Sequence, residues 1–329
     1  MRSRTCALAA VASLAAACHY RDPCFTPPSV VDDLRVLALS VDPPQPLADL
    51  STGSVESVRL RMLFGRFNGS GGTLDVSWAV CVPGPDHTCP QEAIVARDHE
   101  WQRDSSVEIR VSPDLIAEAL AADPLRGAGG MRVLATVRVA GASPEAASTP
   151  IIFVRPGQLR NQAPVLAGVR IAREGFPYGP SSPSANMFSG SPHGVRPVLA
   201  PGAVEEYDAI DFAGRAVHLR ERILYSFYGT PDLAIGRLQH TTNGLAVYYG
   251  NGNDFEAEEP PEGAPDPLFG LIPLTALGSG GTLWIVARDS RGAASWLEVP
   301  VRAPSIDPRC ADGAFPPFFD CVRASFGCG

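Results

Sequence analysis

The chain has 329 residues and a formal net charge of −8 at pH 7, and all 27 of its basic residues are arginine. Without a basic cluster, that charge excludes the electrostatic footprint of a nucleic-acid binder and offers no attraction to anionic lipid headgroups. The 32 glycines and 32 prolines exclude a body of long helices and favour short strands joined by turns, in a chain long enough for two domains.

In chain order, Arg2 and Arg4 form a short positive region, and Cys6 to Ala17 is an uncharged run ending in small residues. This is the make-up of a secretory signal over residues 1–17. It is too short for a membrane span, which needs roughly 20 apolar residues, and no later segment is that long and apolar. Ala15-Ala16-Ala17-Cys18 resembles the lipobox of bacterial lipoproteins, with Leu14 one place further from the cysteine than the family prefers. The resemblance implies cleavage before Cys18, a diacylglycerol and palmitate on that residue, and a lipid anchor in the cell envelope. The alternative is an ordinary signal peptide cut near Ala17, which leaves Cys18 for a disulfide. His19, where retention in the inner membrane calls for Asp, implies the outer membrane by the same resemblance. Losing Arg2 and Arg4 with the signal takes the charge from −8 to −10. Residues 18–32, with Pro23, Pro27 and Pro28, read as a tether.

From Leu34 the pattern is that of strands. Leu34–Val41 is a first apolar strand, stopped by Pro43-Pro44. Val58, Leu60, Met62 and Phe64 alternate with Arg59, Arg61 and Leu63, which predicts one buried face and one largely wet face. Alternation recurs at 76–80, 107–111 and 131–139, and 151–154 closes the set. A helix is predicted between Ser112 and Asp123-Pro124. Ser112 suits the cap, Pro113 the first turn and Asp114 the positive end of the dipole. About seven short strands over 33–155 predict an antiparallel β-sandwich. The pattern, with Trp78 on the third strand, resembles a bacterial immunoglobulin-like module.

Residues 156–164 read as a linker, and 165–303 as a second, less regular sandwich. Within it, 175–197 is rich in Pro, Gly and Ser and reads as a long loop, whose Phe176, Tyr178, Met187 and Phe188 are expected to fold back onto the sandwich. The closing "TLWIVARDSRGAASWLEVPV" resembles the last two strands of immunoglobulin-like or PKD-like modules in surface proteins of GC-rich bacteria, myxobacteria in particular. Asp289 and Gly292 are turn residues in that reading. The expected fold is thus all-β, two antiparallel immunoglobulin-like sandwiches in tandem, with one short crossover helix and a cysteine-bearing tail over 304–329.

With Cys6 removed and Cys18 acylated, Cys24, Cys81, Cys89, Cys310, Cys321 and Cys328 remain, enough for three disulfides in an exported chain. Cys81 and Cys89 flank a loop of turn formers, so a local disulfide there would pin a hairpin. Zinc is disfavoured, because the last three cysteines have no CxxC spacing and no neighbouring histidine. Asn251, Asn253, Asp254 and Glu256 in the acidic stretch 250–266 supply hard oxygen ligands and form a candidate calcium site; a solvated acidic loop explains the same letters. No other cofactor is implied.

None of the six histidines falls in HExxH or HxH, and there is no GxSxG elbow or phosphate loop. The expectation is a non-catalytic, membrane-anchored structural, adhesive or binding module with a protein or glycan partner. A periplasmic scaffold for a larger surface complex is the second reading. A hydrolase built from distant residues, such as His193 with Asp208 or Asp211, is the third.

Overall fold

The structure, a computed structural model, describes residues 30–66, 74–84, 87–98, 104–142, 144–171, 177–178, 184–189, 193–210, 215–231, 233–241, 244–248, 256–258, 269–273 and 280–306. Among these, no helix is long and apolar enough to cross a membrane.

The first unit contains β1 (Arg35–Asp42), β2 (Ala48–Asp49), β3 (Ser54–Val55), β4 (Val58–Gly65), β5 (Val76–Cys81), β6 (Ile94–Asp98), β7 (Asp104–Ile109), α1 (Pro113–Ala122), β8 (Met131–Val139) and β9 (Ala146–Phe153). One sheet has the order β1-β4-β7 and the other β6-β5-β8-β9. Leaving out the short β2–β3 pair, the first, second and fifth strands face the fourth, third, sixth and seventh. This is the Greek-key order of an immunoglobulin-like sandwich, with the fourth strand placed beside the third.

Period-two alternation builds the core. Leu60, Met62 and Phe64 of β4 meet Trp78 of β5, Val133 and Val137 of β8 and Phe153 of β9 in one cluster. Trp78 is 1% exposed, and full burial of each large apolar side chain stabilises by about 1.5–3 kcal/mol. The helix caps as the sequence predicts: the Ser112 hydroxyl accepts from the Leu115 N–H at 3.2 Å, and Ile116 and Ala119 plug the core. Downstream, the Asp123 carboxylate accepts from the N–H groups of Leu125 and Gly127 at 2.9 Å. Gly130, with φ +113°, lies where a Cβ would sit 2.4 Å from Ile152 and 3.0 Å from the Phe153 carbonyl, so no side chain fits.

The second unit contains β10 (Leu166–Ile171), β11 (Pro177–Tyr178), β12 (Ala185–Ser189), β13 (His193–Leu199), β14 (Glu206–Ile210), β15 (Ala216–Arg220), β16 (Ile223–Gly229), β17 (Leu233–Thr241), β18 (Gly244–Tyr248), β19 (Glu256–Glu258), β20 (Phe269–Pro273), β21 (Gly280–Asp289) and β22 (Ala294–Ile306). The sheet β11-β10-β13-β20-β17-β18 packs on β12-β22-β21-β16-β19, and β14-β15 is a separate hairpin. Tyr225 and Phe227 of β16, Ile285 of β21 and Val299 of β22 meet Val169, Val195 and Leu233 from the other sheet. β12 runs parallel to β22, so the chain leaves the first sheet after β10 and β11 and joins the opposite one.

Three sequence expectations are corrected. The stretch 175–197 is not one loop: it carries β11, β12 and the start of β13. β11 and β12 are sheet edges, the position in a sheet where a proline such as Pro177 is tolerated. The tether does not extend to residue 32, since Val30 and Val31 are buried, Val31 completely. Leu63, assigned to the wet face of β4, is 3% exposed. The last two departures come from apolar residues whose covering partner lies far away in sequence.

Candidate functional site

The most heavily built region outside the two cores is the joint between the sandwiches. In β21, Leu283, Ile285 and Ala287 face the second core. Trp284 and Val286 point the other way, and they too are buried. Val31, Leu37, Ala38 and Leu63 of the first unit cover them, with Tyr228 and Trp296 at the margin. The outer side of one sandwich thus seats on the outer face of a sheet of the other. Gly65 permits the approach: a Cβ there would lie 2.8 Å from Val31 and 3.1 Å from Leu37.

Polar ties ring this apolar patch. Arg288 donates to the Ser226 hydroxyl at 2.7 Å and to the Leu37 carbonyl at 3.1 Å. Leu37 lies on β1, an edge strand, so the guanidinium caps a backbone group that would otherwise invite a foreign strand. Arg61 sits over the Trp296 ring at 4.9 Å. The expected linker is stitched down at its middle, to both sandwiches. Arg160 binds the Gln45 carbonyl and Glu56, and Asn161 binds the Gln45 side chain and Asp289.

Beside the joint lies a knot of buried charge. Arg291 pairs with Glu221 at 2.7 Å and with Glu205, and it stacks over Tyr207 at 4.4 Å. The Glu221 side chain is wholly buried. Desolvation raises the pKa of Glu221, and hydrogen bonding to Arg291 opposes that shift. Burial likewise raises the pKa of Asp289, opposed by its bonds from Asn161, Ala293 and Arg291. A raised carboxylate favours the neutral form in the fold. Each therefore costs stability as pH rises from its ordinary value towards its raised one. The sequence marked Asp289 only as a turn residue. It is a turn residue, accepting from the N–H groups of Arg291 and Ala293 at 2.9 Å, and it also fastens the linker. No local signal announces that second role, because its partner is 128 residues away.

Of the groups proposed for distant-residue hydrolysis, Asp208 and His193 stand in different surroundings. Asp208 bonds His218 at 2.9 Å, and Glu206 reaches the other ring nitrogen at 3.3 Å, on the exposed β14–β15 hairpin. The bonds from Asp208, then Glu206, raise the His218 pKa. His193 is instead fully buried in β13, opposite Leu271, and Asp211 lies outside the described residues. Among the described residues no group of three His, Cys, Asp or Glu side chains could hold a metal ion. Asn251, Asn253 and Asp254 lie outside the described residues, and only the backbone of Glu256 is placed, opposite Ser226. Cys18, Cys24, Cys310, Cys321 and Cys328 also lie outside them, as does Phe176. Tyr178 is in β11, and Met187 and Phe188 are in β12.

Cys81 and Cys89 form a disulfide. The two half-cystines pack with Ala79 and Leu134 on the outer face of the four-stranded sheet, with Ala93 against them. The Cys89 N–H donates to the Thr136 hydroxyl at 3.0 Å, and Arg138 donates to the Cys89 carbonyl at 2.9 Å. Two surface concavities stand out. One, of about 220 Å³, lies between Arg126, Met131, Phe153 and Arg155. The other, of about 310 Å³, lies between β1, β9 and Arg288. Both are at or below the small end of the roughly 300–1,000 Å³ usual for ligand pockets.

No family model matches the chain, and no curated protein matches it. Among solved structures it is similar to the adhesin InvE of Yersinia pseudotuberculosis, at 10% identity over 81% of this chain and 60% of that one, with a TM-score of 0.21. It is similar to domains 5–6 of the S-layer protein SbsC, at 11% identity over 82% and 99%, TM-score 0.18. A third likeness is to a glycosyl hydrolase family 2 member of Bacteroides cellulosilyticus, at 7% identity over 82% and 29%, TM-score 0.18. The chain spans about 60% of the adhesin's length. The immunoglobulin-like assignment stands on strand order and core, not on these superpositions.

Proposed function

We propose that this chain is a membrane-anchored lipoprotein of the cell envelope, held by Cys18 in the outer membrane, whose two sandwiches serve as a non-catalytic structural or adhesive body. The observation that supports the body's role is the use of its charged groups. Arg288, Arg291, Asn161, Asp289 and Glu221 are buried or half-buried ties between strands, linker and joint. Such groups give a stiff carrier rather than a reacting centre. Contact with a protein or glycan partner then falls to loops and sheet edges. The anchor is supported by Ala15-Ala16-Ala17-Cys18 behind a signal-like segment. It is tested by feeding cells labelled palmitate. Label is expected in the protein and is lost in Cys18→Ser. Undiminished label in that variant contradicts the anchor.

A further inference from the structure

The concavity of about 220 Å³ lies where β8 begins and β9 ends. Two segments wall it. One is the turn between α1 and β8, which carries Arg126; the other follows β9 and carries Arg155 and Gln158. Both walls are held by short local bonds. On the first, the Asp123 carboxylate clasps the N–H groups of Leu125 and Gly127 and lies 3.8 Å from Arg132, so its charge is committed. Arg126, inside that clasp, has φ +51°, the left-handed region that residues other than glycine rarely enter. Strained backbone of this kind gathers at ligand clamps. On the second wall, the Gln158 side-chain oxygen accepts from the Arg155 N–H at 2.8 Å, and the Gln158 N–H donates to the Arg155 carbonyl at 3.1 Å. With its oxygen engaged, the Gln158 amide has only N–H left to offer. No carboxylate lines the cavity. Among the described residues, neither the Arg126 nor the Arg155 guanidinium has an ion pair or a hydrogen bond.

We infer that this concavity binds a tetrahedral oxyanion, a phosphate or sulfate group, either free or carried by a sugar. Two guanidiniums and one amide form a set of donors without an acceptor among them. One guanidinium fork already occupies both oxygens of a carboxylate. A tetrahedral oxyanion has three or more oxygens on one centre, so it can take both forks at once. The small volume suits a group of this size and not a drug-sized ligand. The site does not depend on the anchor proposed for Cys18.

The test is an NMR titration of the full chain at low salt. Glucose 6-phosphate is expected to shift the Gly127, Arg155 and Gln158 signals saturably, with a dissociation constant of about 1 mM or below. Glucose is expected to leave them in place. Arg126→Gln and Arg155→Gln are each expected to weaken binding at least about fivefold, whereas Arg110→Gln, at an exposed arginine away from the cavity, is expected to change nothing. Both cavity arginines are exposed, so the rest of the spectrum is expected to hold in every variant. No saturable shift, or unchanged affinity in both cavity variants, overturns the site. Glucuronate is expected to bind more weakly than glucose 6-phosphate; equal or tighter binding contradicts the tetrahedral preference. Inorganic phosphate separates the two sources: tighter binding than the ester assigns the free ion, and weaker binding assigns the group carried by a sugar.

Discussion

Two outer sheet faces in this molecule pose the same problem and meet it differently. On the first sandwich, Ala79 and Leu134 turn outward and are covered by the Cys81–Cys89 disulfide, whose halves are only eight residues apart, and by Ala93. On the second, Trp284 and Val286 turn outward and are covered by an entire neighbouring domain. The local cover protects its own sheet. The distant cover joins two domains into one body. A small apolar patch needs a strap; a patch containing tryptophan needs a surface.

Breaking the distant cover has the larger expected effect. Trp284→Ala removes the largest buried side chain of the joint. It is expected to cost about 3–5 kcal/mol and to split one calorimetric transition into two as the sandwiches uncouple. Removing the local cover with Cys81→Ala and Cys89→Ala together is expected to cost about 2–3 kcal/mol, with the transition lowered but still single. Arg288→Met keeps the joint apolar but strips the cap from the Leu37 carbonyl. A loss of about 1–2 kcal/mol in urea unfolding is expected, with hydrogen exchange rising along β1.

The β14–β15 hairpin sharpens the contrast, since its His218 side faces solvent. His218 has a raised pKa because Asp208 and Glu206 favour its charged form. Its contribution is therefore full below 6.5 and is lost as pH rises through the higher folded value. The pair is solvent-exposed, so global stability should scarcely move. An NMR titration is expected to show His218 titrating above 6.5, and Asp208→Asn to bring it down. An unchanged midpoint in that variant contradicts the pairing.

What the sequence made legible follows the same division. Period-two runs such as Val58–Phe64 and Met131–Val139 place strands because the sheet's own geometry dictates the alternation. Ser112-Pro113-Asp114 places the helix because capping is local. The Cys81–Cys89 strap was legible for the same reason. The joint was not. Leu63 and Trp284 sit at ordinary outward positions, and only the fold brings them together. Val30 and Val31 followed a proline-bearing stretch and were grouped with it, although two adjacent valines are the kind of residues a joint buries. β11 and β12 were hidden by Pro and Gly, which edge strands accept. β6, β14 and β15 escaped because each is only five residues long and its alternation is weak. The charged knot was least legible of all, as Asn161, Glu205, Glu221, Asp289 and Arg291 are scattered over 130 residues.

The central claim is that the two sandwiches are welded through Val31, Leu37, Leu63 and Trp284. Amide residual dipolar couplings of the full chain in a dilute aligning medium test it most directly. The account predicts that couplings from β4, β5 and β8 and couplings from β16, β21 and β22 fit one alignment tensor with the orientation seen here. Two tensors of different magnitude would mean that the sandwiches move independently, and would contradict the weld.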